Sequence, residues 1–174
     1  MGSRPTEGAV NIAARLPEMA RRQPHDPAVV EPLGYGRSGR RRYRQLSFSQ
    51  LDEDSDCIAR GLRRMGVAAG TRIALLVRPG VDFVSLVFAL FKAGAVIILI
   101  DPGMGRRNLV RCLEDARPRG FAAIPAVQAV RALLRGRFRQ ARYNVTVGRR
   151  WFWGGPTLAE LRSTPCEGPQ LAET

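Results

Sequence analysis

The chain predicts an α/β fold, a mostly parallel sheet flanked by helices. Three observations carry that expectation. Arg72–Val77 (Arg-Ile-Ala-Leu-Leu-Val) and Ala95–Ile100 (Ala-Val-Ile-Ile-Leu-Ile) are short apolar runs with no polar alternation, as strands covered on both faces require. Between them Pro79-Gly80 and Gly94 bracket Val81–Ala93, which has helical length and composition. The same alternation continues to Val147 with little loop between segments. Folds of this class carry ligand chemistry at the carboxyl ends of their strands.

Each element has its own signal. Asn11 to Arg22 reads as an amphipathic helix, with Ile12, Leu16 and Met19 at i, i+4 and i+7 and Arg15 and Arg22 off that line. Pro17 implies a kink or a late start. Pro24-His25-Asp26-Pro27 is a turn, and Ala28–Val30 an edge-strand candidate before Pro32. Leu33–Arg42, rich in Gly and Arg, reads as an exposed flexible loop, and Tyr43–Leu46 as a short strand. Ser47-Phe48-Ser49-Gln50 matches a capping box. The helix it opens carries Leu51, Ile58, Leu62 and Met65 on one stripe, with Gly66 as its stop.

After the two apolar runs, Arg106–Ala116 reads as a helix with Leu109, Cys112, Leu113 and Ala116 inward. Phe121–Ile124 reads as a strand, Ala126–Leu134 as a helix with apolar Val127, Val130, Leu133 and Leu134, and Tyr143–Val147 as a strand. Trp151-Phe152-Trp153-Gly154-Gly155 is an aromatic turn, and Thr157-Leu158-Ala159-Glu160 a second capping box. Thr164–Thr174 is rich in Pro and Gly and reads as a linker or frayed end. The expected division is therefore an α/β unit over 1–163 and a tail over 164–174.

Length and composition set bounds. A chain of 174 residues fits one domain and buries roughly 70% of its unfolded surface. Lys plus Arg is 28 against 15 Asp plus Glu, a net charge of +13. Lys92 is the only lysine. Either a basic surface binds nucleic acid or an anionic membrane, or a GC-rich coding sequence has favoured Arg, Ala and Gly. The arginines are dispersed over several segments, which favours the second. Cys57, Cys112 and Cys166 are odd in number and have no zinc-like or redox-like spacing, so neither a disulfide framework nor a metal site is indicated. A cytoplasmic setting is expected. Met1–Val10 has no apolar core of a secretory signal. Val81–Ile100 has the length of a membrane span, but Asp82, Lys92 and Gly94 interrupt it, and a buried helix followed by a strand explains the same letters.

Each motif with a chemical reading also has a plainer one. Gly103-Met104-Gly105-Arg106-Arg107-Asn108 follows a strand and opens a helix, where a phosphate-cradling loop belongs. Asn108 stands where the dinucleotide fingerprint has its third glycine, which favours a strand-to-helix turn. His25, the only histidine, lies in a Pro-flanked turn with no serine or cysteine nearby, so a surface histidine is favoured over a general base. No Gly-x-Ser-x-Gly elbow exists. Asp52, Glu53, Asp54 and Asp56 cluster early in the Ser47 helix; charge suited to the helix dipole is favoured over metal binding. The Arg40–Arg42 run favours a solvated loop over phosphate contact. Trp151-Phe152-Trp153 favours packing on the sheet edge over a binding surface.

Together these segments resemble the start of the adenylate-forming (AMP-binding) superfamily of acyl-CoA synthetases and related acid ligases. The resemblance rests on Tyr43-Arg44-Gln45-Leu46, Gly61-Leu62, Gly66 through Leu75, Pro79-Gly80-Val81-Asp82-Phe83, Phe88 through Val96, and Asp101-Pro102. Asn11-Ile12-Ala13, Asp101 through Arg107 and Val147-Gly148-Arg149-Arg150 are similar to the branch that makes β-lactones in olefin biosynthesis. It covers about Gly8 to Ala172 and implies the incomplete first part of the large N-terminal domain of an AMP-binding ligase.

The full-length family uses ATP and Mg to activate a fatty carboxylate. Its Ser/Thr/Gly-rich phosphate loop is expected just after Leu171-Ala172, and its catalytic lysine belongs to a C-terminal domain. No residue here matches a catalytic, nucleotide-binding or metal motif of the family, so none is assigned. The resemblance implies a portion that is not catalytic alone, holds no cofactor itself, has no membrane span, and self-associates through uncovered apolar surface. The alternative is a basic α/β module binding nucleic acid or another polyanion through Arg37, Arg40–Arg42 and Arg106–Arg107.

Overall fold

The computed structural model describes residues 11–100, 103 and 105–163; the tail over 164–174, Met1–Val10 and the Asp101-Pro102 and Met104 positions lie outside them. A short 3-10 turn, Ile12–Ala14, leads into α1, Arg15–Arg22. Pro17 sits in the first turn of α1, where its missing N–H breaks no intrahelical bond. Next come β1 (Pro27–Tyr35), β2 (Arg41–Ser47), α2 (Phe48–Arg64), β3 (Arg72–Leu76) and α3 (Val81–Lys92). They are followed by β4 (Val96–Ile98), α4 (Arg106–Ala116), β5 (Gly120–Ala123), α5 (Pro125–Leu133), β6 (Tyr143–Thr146) and α6 (Leu158–Arg162).

Four strands form one sheet in the order β4-β3-β5-β6, and every pairing in it is parallel. Pleating sends alternate residues to opposite faces. Ile73, Leu75, Ala122 and Val145 join Ile58, Leu62, Leu86, Leu90 and Leu161 of α2, α3 and α6 in the main core. Ala74 and Phe121 face the other way, meeting Leu113 of α4 and Phe138 in a smaller cluster. The α/β expectation therefore holds, with helices on both faces. No helix among the described residues is long and apolar enough to cross a membrane.

Both capping boxes form. Gln50 N–H donates to Ser47 Oγ while Ser47 N–H donates to Gln50 Oε1, and Thr157 and Glu160 repeat the exchange. These reciprocal bonds satisfy helix-end donors that no intrahelical carbonyl can reach.

Four expectations need correction. Leu33–Arg42 is not a flexible loop. β1 runs on to Tyr35 and β2 begins at Arg41, so only the hairpin turn remains between them. Gly36 N–H donates to the Arg40 carbonyl at 2.8 Å, and the Arg41 guanidinium stacks on the Tyr35 ring at 5.4 Å. Glycine and arginine content signalled a turn, but cross-strand pairing extended both strands into it. Secondly, Ala95–Ile100 is not a strand buried on both faces. β4 is a three-residue edge strand with Val96 48% exposed; an apolar run alone does not distinguish the edge of a sheet from its centre. Thirdly, α5 points Val130 and Leu133 toward solvent and buries Gln128 instead. The Gln128 amide N–H₂ donates to the carbonyls of Phe121 and Val145, a role that apolar periodicity does not reveal. Fourthly, Cys57 is disulfide-bonded, whereas Cys112 is free; an odd cysteine count without a redox-like spacing does not exclude a single bond.

Candidate functional site

The carboxyl ends of β3, β4 and β5 open onto an apolar groove of about 550 Å³. Its walls include Leu76, Val77, Phe83, Leu99, Ile124 and Val127, and among the described residues Arg78 is the one charged residue along it. A neighbouring groove of about 350 Å³ lies between α4 and α5, against Leu113, Phe121 and Phe138. Arg131 borders it, its Nε–H donating to Gln128 Oε1 at 2.7 Å. Burial pushes the Arg131 guanidinium below its ordinary pKa. Among the described residues these walls offer apolar contact and no nucleophile or general base.

The acidic residues of α2 do different work from the expected one. Ser47 is the N-cap, so the first turn carries no carboxylate. Asp52 and Asp56 instead hold Lys92, which is 0% exposed. Lys92 Nζ donates to Asp52 Oδ1 at 2.6 Å, to Asp56 Oδ1 at 2.7 Å and to the Asp52 carbonyl at 3.0 Å. Three acceptors match the three ammonium hydrogens, the condition under which a buried cation is tolerated. Burial raises the Asp56 carboxyl above the ordinary carboxylate range, while Lys92 pulls the other way.

Asp54 accepts from Arg162 Nε at 2.7 Å and from Nη2 at 3.0 Å, and Nη2 also reaches Asp82 at 2.9 Å. Arg44 lies 3.2 Å from the same Asp82 oxygen. Burial works against the Arg162 charge, but Asp54 and Asp82 outweigh it and lift its pKa above the ordinary value. These ion pairs clamp α2 to α3, α6 and β2. The dipole reading of the cluster is thus replaced by two clamps. The available signal was the i, i+4 spacing of Asp52 and Asp56 beside buried Leu51, Ser55 and Ile58, opposite a single lysine ending an apolar helix.

The other motifs scatter. Gly105, at φ +85°, is the N-cap of α4, so the glycine there serves a left-handed turn. His25 is exposed in the turn between α1 and β1. Arg40–Arg42 belong to the hairpin end. Trp153 is buried and donates its Nε1–H to Thr146 Oγ1 at 2.8 Å, whereas Trp151 and Phe152 stay 60% and 70% exposed. The aromatic cluster therefore divides between the sheet edge and solvent. Among the described residues no group of three or more His, Cys, Asp or Glu side chains is placed to hold a metal ion. Asp52, Asp54, Asp56 and Asp82 are each paired with a cationic side chain.

The sheet thus presents an apolar groove at its carboxyl end, while ion pairs join the helices on one of its faces. The family model for "AMP-binding enzyme" matches residues 16–149, and the chain belongs to that family. It is 47% identical over 166 residues to the olefin beta-lactone synthetase of Xanthomonas campestris pv. campestris, covering 94% of this chain and 30% of that protein. It is also 47% identical over 167 residues to the olefin beta-lactone synthetase of Stenotrophomonas maltophilia, with the same coverage. The chain thus spans about 30% of the length of these relatives. A crystal structure of an anthranilate CoA ligase superposes with a TM-score of 0.78 at 17% identity, over 95% of this chain and 30% of that one, which shows the shared fold.

Proposed function

We propose that this chain, through residue 163, is the N-terminal α/β portion of an ATP-dependent, AMP-forming ligase that activates a fatty acid. The supporting observation is the 47% identity to olefin beta-lactone synthetases across 94% of the chain. The corresponding substrate is a fatty carboxylate, a β-hydroxy acid in particular, converted with Mg-ATP to an acyl-adenylate. The contribution of these residues is positional. The Lys92 and Arg162 clamps fix α2, α3 and α6 on one face, so the strand ends are held rigidly where the rest of the domain packs. No step of the chemistry is assigned to a residue of this chain.

Two measurements test this. Residues 11–163 grafted into the Xanthomonas relative in place of its matching portion should leave that protein's ATP–pyrophosphate exchange with β-hydroxy fatty acids intact; a folded but inactive chimera overturns the reading. The 174 residues alone should catalyse no such exchange, and clear turnover would refute a purely positional role. We further propose that the grooves and the exposed Leu99 and Leu133 drive self-association of the isolated chain, visible as concentration-dependent sedimentation. No observation favours a nucleic-acid role: the arginines of that alternative lie on the hairpin and on α4, which are separate elements.

A further inference from the structure

We propose that the Trp151-Phe152 turn is an interfacial anchor that docks this chain on an anionic lipid surface. The turn leaves the end of β6 and is held rigidly. Trp153 is its buried root, hydrogen-bonded to Thr146. The rings of Trp151 and Phe152 flank it, with centroids 5.5 and 5.0 Å from that of Trp153. Arg150 Nη1–H donates to the Gly155 carbonyl at 2.7 Å and lies 3.4 Å from Glu160. Gly155, at φ +95°, packs so closely on the Asn144 carbonyl that a Cβ would collide with it. A turn stiffened at its base in this way does not collapse its tip inward, so its two apolar rings stay in water.

Exposed large aromatics that the fold holds in place are an interaction surface rather than unfinished core. The chemistry of the tip selects the partner. Trp and Phe are side chains of the bilayer interface, and Arg149 beside them is exposed and makes no hydrogen bond or ion pair among the described residues. The whole chain carries +13, which a leaflet of anionic headgroups attracts. Two rings and a cation on a protruding turn suit a soft, flat, negatively charged surface, which needs no complementary pocket.

The test is cosedimentation of the full chain with vesicles of phosphatidylcholine containing phosphatidylglycerol, against phosphatidylcholine alone. Binding is expected to the anionic vesicles, to weaken with added salt, and to bring a blue shift in tryptophan emission. The chain has two tryptophans; with Trp153 already buried, the shift reports Trp151. The double variant Trp151→Ser/Phe152→Ser should lower the partition coefficient about tenfold or more, and Arg149→Glu about tenfold, with far-UV circular dichroism unchanged. Absence of vesicle binding by the folded wild type overturns the proposal, as does equal binding to neutral vesicles or undiminished binding by the folded double variant. A protein ligand that the double variant loses while wild-type vesicle binding is absent also overturns it. The measurement uses neither ATP nor acid, so its failure leaves the adenylation proposal standing.

Discussion

The two faces of the sheet are built unequally. The face under α2, α3 and α6 is sealed by a continuous core that includes Ile58, Leu62, Leu86 and Leu90, and its charges are paired across helices. The face under α4 and α5 buries only Ala74, Leu113, Phe121 and Phe138 in its cluster. It carries one groove between its helices and shares the other at the strand ends, and it leaves Leu133 77% exposed. A sealed face gains its rigidity from within the chain. An open one gains it from what packs against it, so function in this family fold is to be sought from the open side and the strand ends.

Breaking the sealed face should have the largest effect. Lys92→Met leaves Asp52 and Asp56 facing each other without their cation. It should cost about 3–5 kcal/mol, read as a fall in urea midpoint at unchanged slope. Replacing all three residues together with apolar ones should recover most of that loss, because the penalty lies in the unpaired charges. If the single and triple variants are equally unstable, the clamp is not what seals this face.

Next is Gln128→Leu on the open face. It strips the amide from the Phe121 and Val145 carbonyls and should cost about 1–3 kcal/mol in the same assay. A loss matching that of Lys92→Met would erase the contrast between the faces.

A smaller effect concerns pH. The folded Asp56 carboxyl is raised by burial, so the folded state holds that proton more tightly than the unfolded chain does. Its contribution to stability is fully present below the unfolded carboxylate pKa. It declines as pH rises from there through the raised folded value. Asp56→Asn should flatten this part of the profile; an unchanged profile would show that Lys92 fully offsets the burial.

The smallest effect is expected at Leu133→Ser, which should change stability by no more than about 0.5 kcal/mol while reducing self-association in sedimentation. A large destabilisation there would mean that the open face is less open than its exposure indicates.

The comparison also separates what was legible. The Ser47 and Thr157 boxes are local, since donor and acceptor lie three residues apart, and both were readable from spacing. The first apolar run was equally readable as a strand, because a parallel sheet under helices selects that composition; the second was readable as a strand but not as the edge it forms. The clamps were not. Asp52 and Asp56 lie four residues apart, but Lys92 lies 36 to 40 positions away, so the acidic cluster by itself suggests only a dipole effect. Gln128 escaped for a similar reason: its partners belong to two different strands.

The order of elements, the caps and the family were thus determined by the chain as written, since each depends on neighbours within a few residues or on a run of side chains of one type. Only the tertiary structure decided which strand lies at the edge, which carboxylates meet the buried ammonium, and which of Trp151, Phe152 and Trp153 turns inward. Those outcomes depend on how much water each group loses when distant segments close over it, and desolvation is a property of the packed assembly rather than of any stretch of sequence.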